Sequence, residues 1–226
     1  MENTAGTSLP TRPKTRAVVY VDGFNLYYGV LKASPAWKWL NLASFFDDLR
    51  VDDEIVKICY FTAIVDEGRA TSETRDRQKR YLKALSSLDR LEVILGKYQP
   101  REVKCRATCR QPYQVPEEKK TDVNIAVRMI SDAIDGVADR LILVSGDSDI
   151  EPAIKWIRSR FPKIKIAVYI PQLPNDAKQR RNDSYRQMNV DAKILPITSF
   201  VVHQFPKVVQ LPGGGLVERP KEWPIT

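Results

Sequence analysis

The chain has 226 residues, 43% hydrophobic and 28% charged, enough for one domain of ordinary size with a sizeable core. No apolar run is long enough to span a bilayer, and Met1 to Lys14 lacks the apolar core of a signal peptide, so a cytoplasmic protein is expected. Three cysteines without an export signal argue for reduced thiols, and a net charge of +8 spread along the chain fits a polyanionic partner, most simply nucleic acid.

Residues 1–15 are polar, contain Pro10 and Pro13, and read as a disordered tail. Ala17-Val-Val-Tyr-Val21 is a β-branched and aromatic run followed at once by Asp22-Gly23, the pattern of a central strand ending in an acid and a turn. Asn25, Tyr27 and Tyr28 follow. Leu42 to Leu49 reads as an amphipathic helix and Glu54 to Val65 as a second strand. Arg69 to Leu88 is a charged helix with Tyr81, Leu82, Leu85 and Leu88 at helical spacing; Arg77 and Arg80 stand on its outer, basic face. Leu91 to Leu95 is a third strand.

Lys97 to Lys120 breaks this rhythm with three prolines, and reads as a long basic loop. Cys105 and Cys109, four apart, have the spacing of half a zinc site; Cys59 and His203 are the residues available to complete it. A helix is predicted over Lys119 to Ala138, with Thr121 as N-cap and Val123, Val127, Ile130, Ile134 and Val137 as its apolar face. Asp122 falls in its first turn, where a carboxylate gains from the helix dipole.

Leu141-Ile-Leu-Val-Ser-Gly-Asp-Ser-Asp-Ile150 repeats the opening pattern: a strand buried on both faces, a tight turn, two aspartates, then a helix start. Asp147 and Asp149 could serve only as turn former and N-cap. The company they keep favours more: the four acids Asp22, Asp122, Asp147 and Asp149 would meet at the carboxyl edge of one sheet, where open α/β folds place ligands. Lys163 to Ile170 is a further strand and Asn175 to Asn189 a basic segment carrying Arg180 and Arg181. Ile194 to Val202 closes the domain, and residues 203–226, rich in Pro and Gly, read as a flexible tail. The Gly213-Gly214-Gly215 triplet follows no predicted strand and opens no helix, so it is no phosphate loop.

Strands alternating with helices give an α/β sandwich with a mainly parallel sheet. Clustered carboxylates repel, and oxygen-only ligands relieve this best with magnesium or manganese. Metal held by acids beside a basic surface is suited to phosphodiester cleavage.

Val19-Tyr-Val-Asp-Gly-Phe-Asn-Leu-Tyr-Tyr28, Glu117-Glu-Lys-Lys-Thr-Asp-Val-Asn-Ile-Ala126 and Val144-Ser-Gly-Asp-Ser-Asp149 resemble the three signature blocks of the NYN domain family of PIN-like nucleases. Arg77-Gln78 with Tyr81 is similar to that family's helix between the first two blocks. The resemblance implies a PIN-like three-layer α/β/α fold over residues 16–202 and metal-dependent ribonuclease activity. By position, Asp22, Asp122 and Asp147 would be metal ligands, with Asp149 completing the site and Asn25 and Ser145 supporting it. RNA would be gripped by Arg77, Arg80, Lys119, Lys120, Arg180 and Arg181. One departure stands out: Arg128 occupies a position where many relatives carry an acid, and Asp132 follows. Arg128 at the site would favour a catalytically inactive RNA-binding or scaffold protein; Asp132 replacing the acid would preserve cleavage. A haloacid-dehalogenase-type phosphatase needs a second Asp at position 24, where Phe stands, and a dinucleotide enzyme needs a glycine fingerprint that is missing.

Overall fold

The computed structural model describes residues 13–65, 71–104, 111–174, 185, 188 and 190–224. In chain order, β1 (Thr15–Asp22) leads into the short helix α1 (Gly23–Gly29), then α2 (Leu42–Leu49), β2 (Asp53–Thr62), α3 (Ser72–Leu85) and β3 (Leu91–Leu95). Next come β4 (Lys97–Lys104), β5 (Pro112–Lys119), α4 (Thr121–Ile134), β6 (Arg140–Val144) and α5 (Glu151–Arg160). The described chain finishes with β7 (Lys165–Ile170), β8 (Asp191–Ile194), β9 (Val208–Gln210) and β10 (Leu216–Glu218).

The central sheet is six-stranded and parallel throughout, in the order β3-β2-β1-β6-β7-β8. Strands buried on both faces need apolar residues at every position, and residues 17–22 of β1 and 141–144 of β6 are all buried. Ala17, Val19 and Val21 face α1, α2 and α3, packing with Trp39, Phe45, Phe46, Tyr81 and Leu85. Val18 and Tyr20 face α4 and α5, packing with Ile125, Met129, Ile154 and Ile157. The result is the three-layer α/β/α sandwich expected of a PIN-like fold.

Chain order runs outward from β1 to β2 and β3, then returns to β6 on the other side of β1. The direction of winding therefore reverses between β1 and β6, and the carboxyl ends of those two strands open a crevice. Register sets Val21 against Val144, so Asp22 and Ser145 leave the sheet side by side.

Several expectations are corrected. Residues 97–104 and 112–119 are not loop: they form the antiparallel pair β4 and β5, with Cys105 and Cys109 outside the described residues. Cys59 lies in the core on the α4 face, whereas His203 packs edge-on to Phe45 on the α2 face, so those two cannot close one zinc site. Lys120, not Thr121, is the α4 N-cap, held in the left-handed region at φ 80°, and Thr121 is the first helical residue. The buried face of α4 is Ile125, Met129, Asp132 and Ala133; Val123, Val127 and Ile134 are 64%, 61% and 58% exposed.

The segment expected as a flexible tail packs on the core. β9 and β10 pair antiparallel around Gly213-Gly214-Gly215, whose φ values of 80° to 95° suit glycine alone. Val209, Val217 and Trp223 are buried, and Trp223 meets Trp39 and Tyr81. Trp39 Nε1 donates to the Pro206 carbonyl at 2.9 Å, fastening the start of this segment.

Candidate active site

Asp22 ends β1 and caps α1. Its Oδ1 accepts from the backbone N–H groups of Phe24 at 3.1 Å and Asn25 at 2.9 Å, satisfying donors that a helix start leaves orphaned. Its Oδ2 accepts from Asn25 Nδ2 at 2.5 Å and Ser145 Oγ at 3.0 Å. The carboxyl is only 2% exposed, and four hydrogen bonds make that burial tolerable. Burial pushes its pKa up, with the Asn25 and Ser145 bonds opposing and Asp147 adding repulsion. Gly23 is required next to it: a Cβ there would lie 2.7 Å from the Phe61 carbonyl oxygen and 2.8 Å from the Tyr60 ring.

The β6 turn is tied to the same carboxylate. Ser145 Oγ, while donating to Asp22, accepts from the Asp147 N–H at 3.1 Å. Asn25 Oδ1 accepts from the Gly146 N–H at 3.2 Å, so Asn25 bridges both turns. Asp147 Oδ1 caps the following 3₁₀ turn by accepting from the Asp149 N–H at 3.1 Å. Tyr185, buried, donates its hydroxyl to the Asp147 carbonyl. Thus Asp147 has the capping role anticipated for a turn residue, with one carboxylate oxygen outside that bond.

Asp122 enters from the first turn of α4. Its pKa is pushed up to about 6 by burial and by the charges of Asp147, Asp22 and Asp149. The charges of Asp147, Asp22 and Asp149 act on Asp122, and that of Asp147 acts on Asp22. Asp149 is exposed at the rim. Among the described residues no three Asp, Glu, His or Cys side chains stand close enough to enclose a metal ion between them. The donor chemistry nonetheless fits a hard divalent ion, because all four groups are carboxylates, which are hard oxygen donors.

Arg128 and Asp132 are elsewhere. Asp132 lies ten residues beyond Asp122, about 15 Å along the helix. It accepts from Tyr20 Oη at 2.8 Å, and Arg128 Nε binds its carboxylate at 2.9 and 3.0 Å. Arg128 also reaches Glu92 at 3.1 Å. Both residues thus brace α4 against the sheet, and neither enters the acid cluster.

Of the basic residues, Arg77 stands on α3, donating to Thr74 Oγ1 at 2.8 Å. Arg80 and Lys120 are exposed; Arg180 and Arg181 fall outside the described residues, and Lys119 ends β5. Next to Asp22, a cavity of about 390 Å³ opens between α1 and α3. It is bounded by Gly23, Phe24, Tyr27, Tyr60, Tyr81 and Trp223, with Lys38 and Arg77 among its polar groups. Sequence reasoning missed Tyr185, Lys38 and Trp223. Only their aromatic or basic character marked them, and nothing in their spacing ties them to Asp22.

The sequence profile of the NYN domain matches residues 16–195. The chain belongs to the NYN domain family. That family is one of PIN-like nucleases, in keeping with the parallel sheet and its acidic crevice. The chain is also similar to 6-hydroxy-3-succinoylpyridine 3-monooxygenase HspA of Pseudomonas putida (strain DSM 28022 / S16), with 29% identity over 240 residues. The similarity covers 92% of this chain and 75% of that protein. No solved structure matches. No helix among the described residues is long and apolar enough to cross a membrane.

Proposed function

We propose that this NYN protein is a magnesium- or manganese-dependent ribonuclease acting at Asp22, Asp122, Asp147 and Asp149. The observation that supports this reading most is the junction of Asp22 and Asp147 through Ser145 Oγ, at 3.0 and 3.1 Å, at the β1/β6 switch point, with Asp122 pushed up to about 6 by burial and by these neighbouring acids. A magnesium site commonly uses only one or two protein carboxylates, the rest of its shell being water and substrate phosphate. Asp122 and Asp147 are the residues that would hold the ion in this way. Asp22 would join only by releasing one of its four hydrogen bonds, so it serves chiefly to position the two turns. A bound divalent ion would acidify a water and neutralise charge on the phosphate. Asp149, at the exposed rim, orients that water or completes the shell. Arg77, Arg80 and Lys120, with Lys119, Arg180 and Arg181, supply positive charge for the RNA backbone.

The test is cleavage of a labelled single-stranded RNA with manganese, magnesium or EDTA, wild type beside Asp147→Asn. Cleavage that needs the metal and is lost in the variant supports the reading. Salt-sensitive binding without cleavage under either metal replaces it with a catalytically inactive RNA-binding protein.

A second reading is oxidation of a small heteroaromatic compound. The relative's name gives a hydroxylated, succinoyl-substituted pyridine as its substrate. The aromatic-lined cavity beside Gly23 favours this reading, because its volume of about 390 Å³ suits a small substituted ring. It predicts oxygen uptake that requires both 6-hydroxy-3-succinoylpyridine and a two-electron donor such as a reduced nicotinamide.

A further inference from the structure

We propose that the cavity between α1 and α3 binds a planar aromatic ring carrying an anionic group, the ring packed among Tyr27, Tyr81 and Trp223 and the anion held by Lys38 and Arg77. This deepens the proposed function by naming the ligand class of the site, and it stands whichever of the two reactions the neighbouring acids perform.

The walls supply the ring recognition. Tyr81 stands edge-on to Tyr60 at 6.2 Å and to Trp223 at 6.3 Å, leaving rigid apolar surfaces at several angles around the void. Tyr81 is also fixed at its far end, donating its hydroxyl to the Leu40 carbonyl at 2.9 Å. A volume of about 390 Å³ lies at the small end of the usual range for ligand pockets. Rigid rings lose little entropy on binding another ring, and such edge and offset contacts favour a flat guest.

The cations supply the second half. Lys38 Nζ lies 5.7 Å from the Tyr27 ring and Lys32 Nζ lies 5.3 Å from the Tyr28 ring. Burial first, then the charges of Arg77 and Lys32, pull the Lys38 ammonium below its usual range, so an anion set beside Lys38 and Arg77 would relieve their repulsion. Among the described residues Arg77 pairs with Glu222, at 3.4 Å, which is largely exposed at the cavity rim, where an incoming anion can displace it. Thr74 holds the other guanidinium nitrogen at 2.8 Å and so presets its direction. Trp223 and Glu222 lie beyond the residues that the family profile spans, so this wall is an addition to the shared fold.

A nucleotide within RNA and a free heteroaromatic carboxylate present the same chemistry, and the test separates them. Binding to the full chain is followed in EDTA by calorimetry and by Trp emission, using uridine 5′-monophosphate and nicotinate, with uridine and nicotinamide as uncharged counterparts. At least one anionic probe is expected to bind about tenfold more tightly than its neutral counterpart. Lys38→Gln with Arg77→Gln should erase that difference, and Lys38→Met alone should reduce it if the double variant fails to fold. Tighter binding of uridine monophosphate, displaced by oligouridylate, assigns the cavity to RNA; nicotinate alone assigns it to a free acid. Asp147→Asn should bind the probes as wild type does, so loss of nuclease activity and failure of this proposal remain separate results. Equal binding of charged and neutral probes, unchanged in the Lys38 and Arg77 variants, or no saturable binding of either anion, overturns it.

Discussion

Ser145 Oγ donates to Asp22 Oδ2 at 3.0 Å and accepts from the Asp147 N–H at 3.1 Å, so one hydroxyl locks the two strand ends together. Ser145 is fully buried, as is nearly all of Asp22. Ser145→Ala removes a donor from a buried carboxylate and an acceptor from a turn N–H. The expected cost is about 1–3 kcal/mol of stability, read as a lowered chemical-denaturation midpoint. If the site cleaves RNA, kcat should fall more than KM, because the change moves Asp147 and not the RNA-binding surface.

The pH dependence follows from Asp122. Its folded pKa of about 6 lies above the ordinary carboxylate value of 3.8. The folded state therefore binds this proton more tightly than the unfolded state does. Its contribution to stability is complete below 3.8 and is lost as pH rises through about 6. Asp122→Asn removes the repulsion, and should stabilise the protein at pH 7 by about 1–2 kcal/mol after allowance for the carboxyl's partial exposure. At pH 4 the gain should nearly vanish. Thermal melts of both proteins at the two pH values check this; an equal gain at both would assign the effect to something other than charge.

At the opposite end of the sheet, Asp53 is buried between two arginines. Arg50 Nη2 stands 2.7 Å from its Oδ2, Arg140 Nε 3.2 Å from its Oδ1, and Arg50 also donates to Tyr169 Oη at 3.1 Å. These contacts join the end of α2 to β2, β6 and β7. Asp53→Ala leaves buried guanidinium charge uncompensated and should cost about 3–5 kcal/mol in equilibrium unfolding. Probe binding at the cavity should persist wherever the variant remains folded.

Trp223 tests the C-terminal segment. It packs 6.2 Å from Trp39 and 6.3 Å from Tyr81, ring to ring. Trp223→Ala should cost about 3–5 kcal/mol, as do other large aromatic truncations in cores. A loss below 0.5 kcal/mol, the range typical of surface changes, would mean that this segment is not part of the folded core.

These residues also show how far the sequence could be read. Ala17 to Val21 and Leu141 to Val144 are legible as doubly buried strands because no polar residue interrupts them, and the acids that follow mark their carboxyl ends. The core face of α4 was not legible, since Val123, Val127 and Ile134 repeat at helical spacing as well as Ile125, Met129 and Ala133 do. Periodicity locates a stripe, but the neighbouring sheet decides which stripe is covered. Pro and Gly concealed the C-terminal hairpin, because the residues that make tight turns also make flexible tails. Arg128 illustrates a different limit: its partners Asp132 and Glu92 are set by packing and not by spacing along the chain alone.

The most direct measurement is calorimetric titration of manganese into the metal-free protein at pH 6 and pH 7, with Asp147→Asn beside it. A shared carboxylate site predicts saturable binding, with greater proton release at pH 6, where Asp122 is about half protonated. It also predicts marked weakening in Asp147→Asn. Absence of binding, or binding that Asp147→Asn leaves unchanged, would contradict a metal site built from these aspartates.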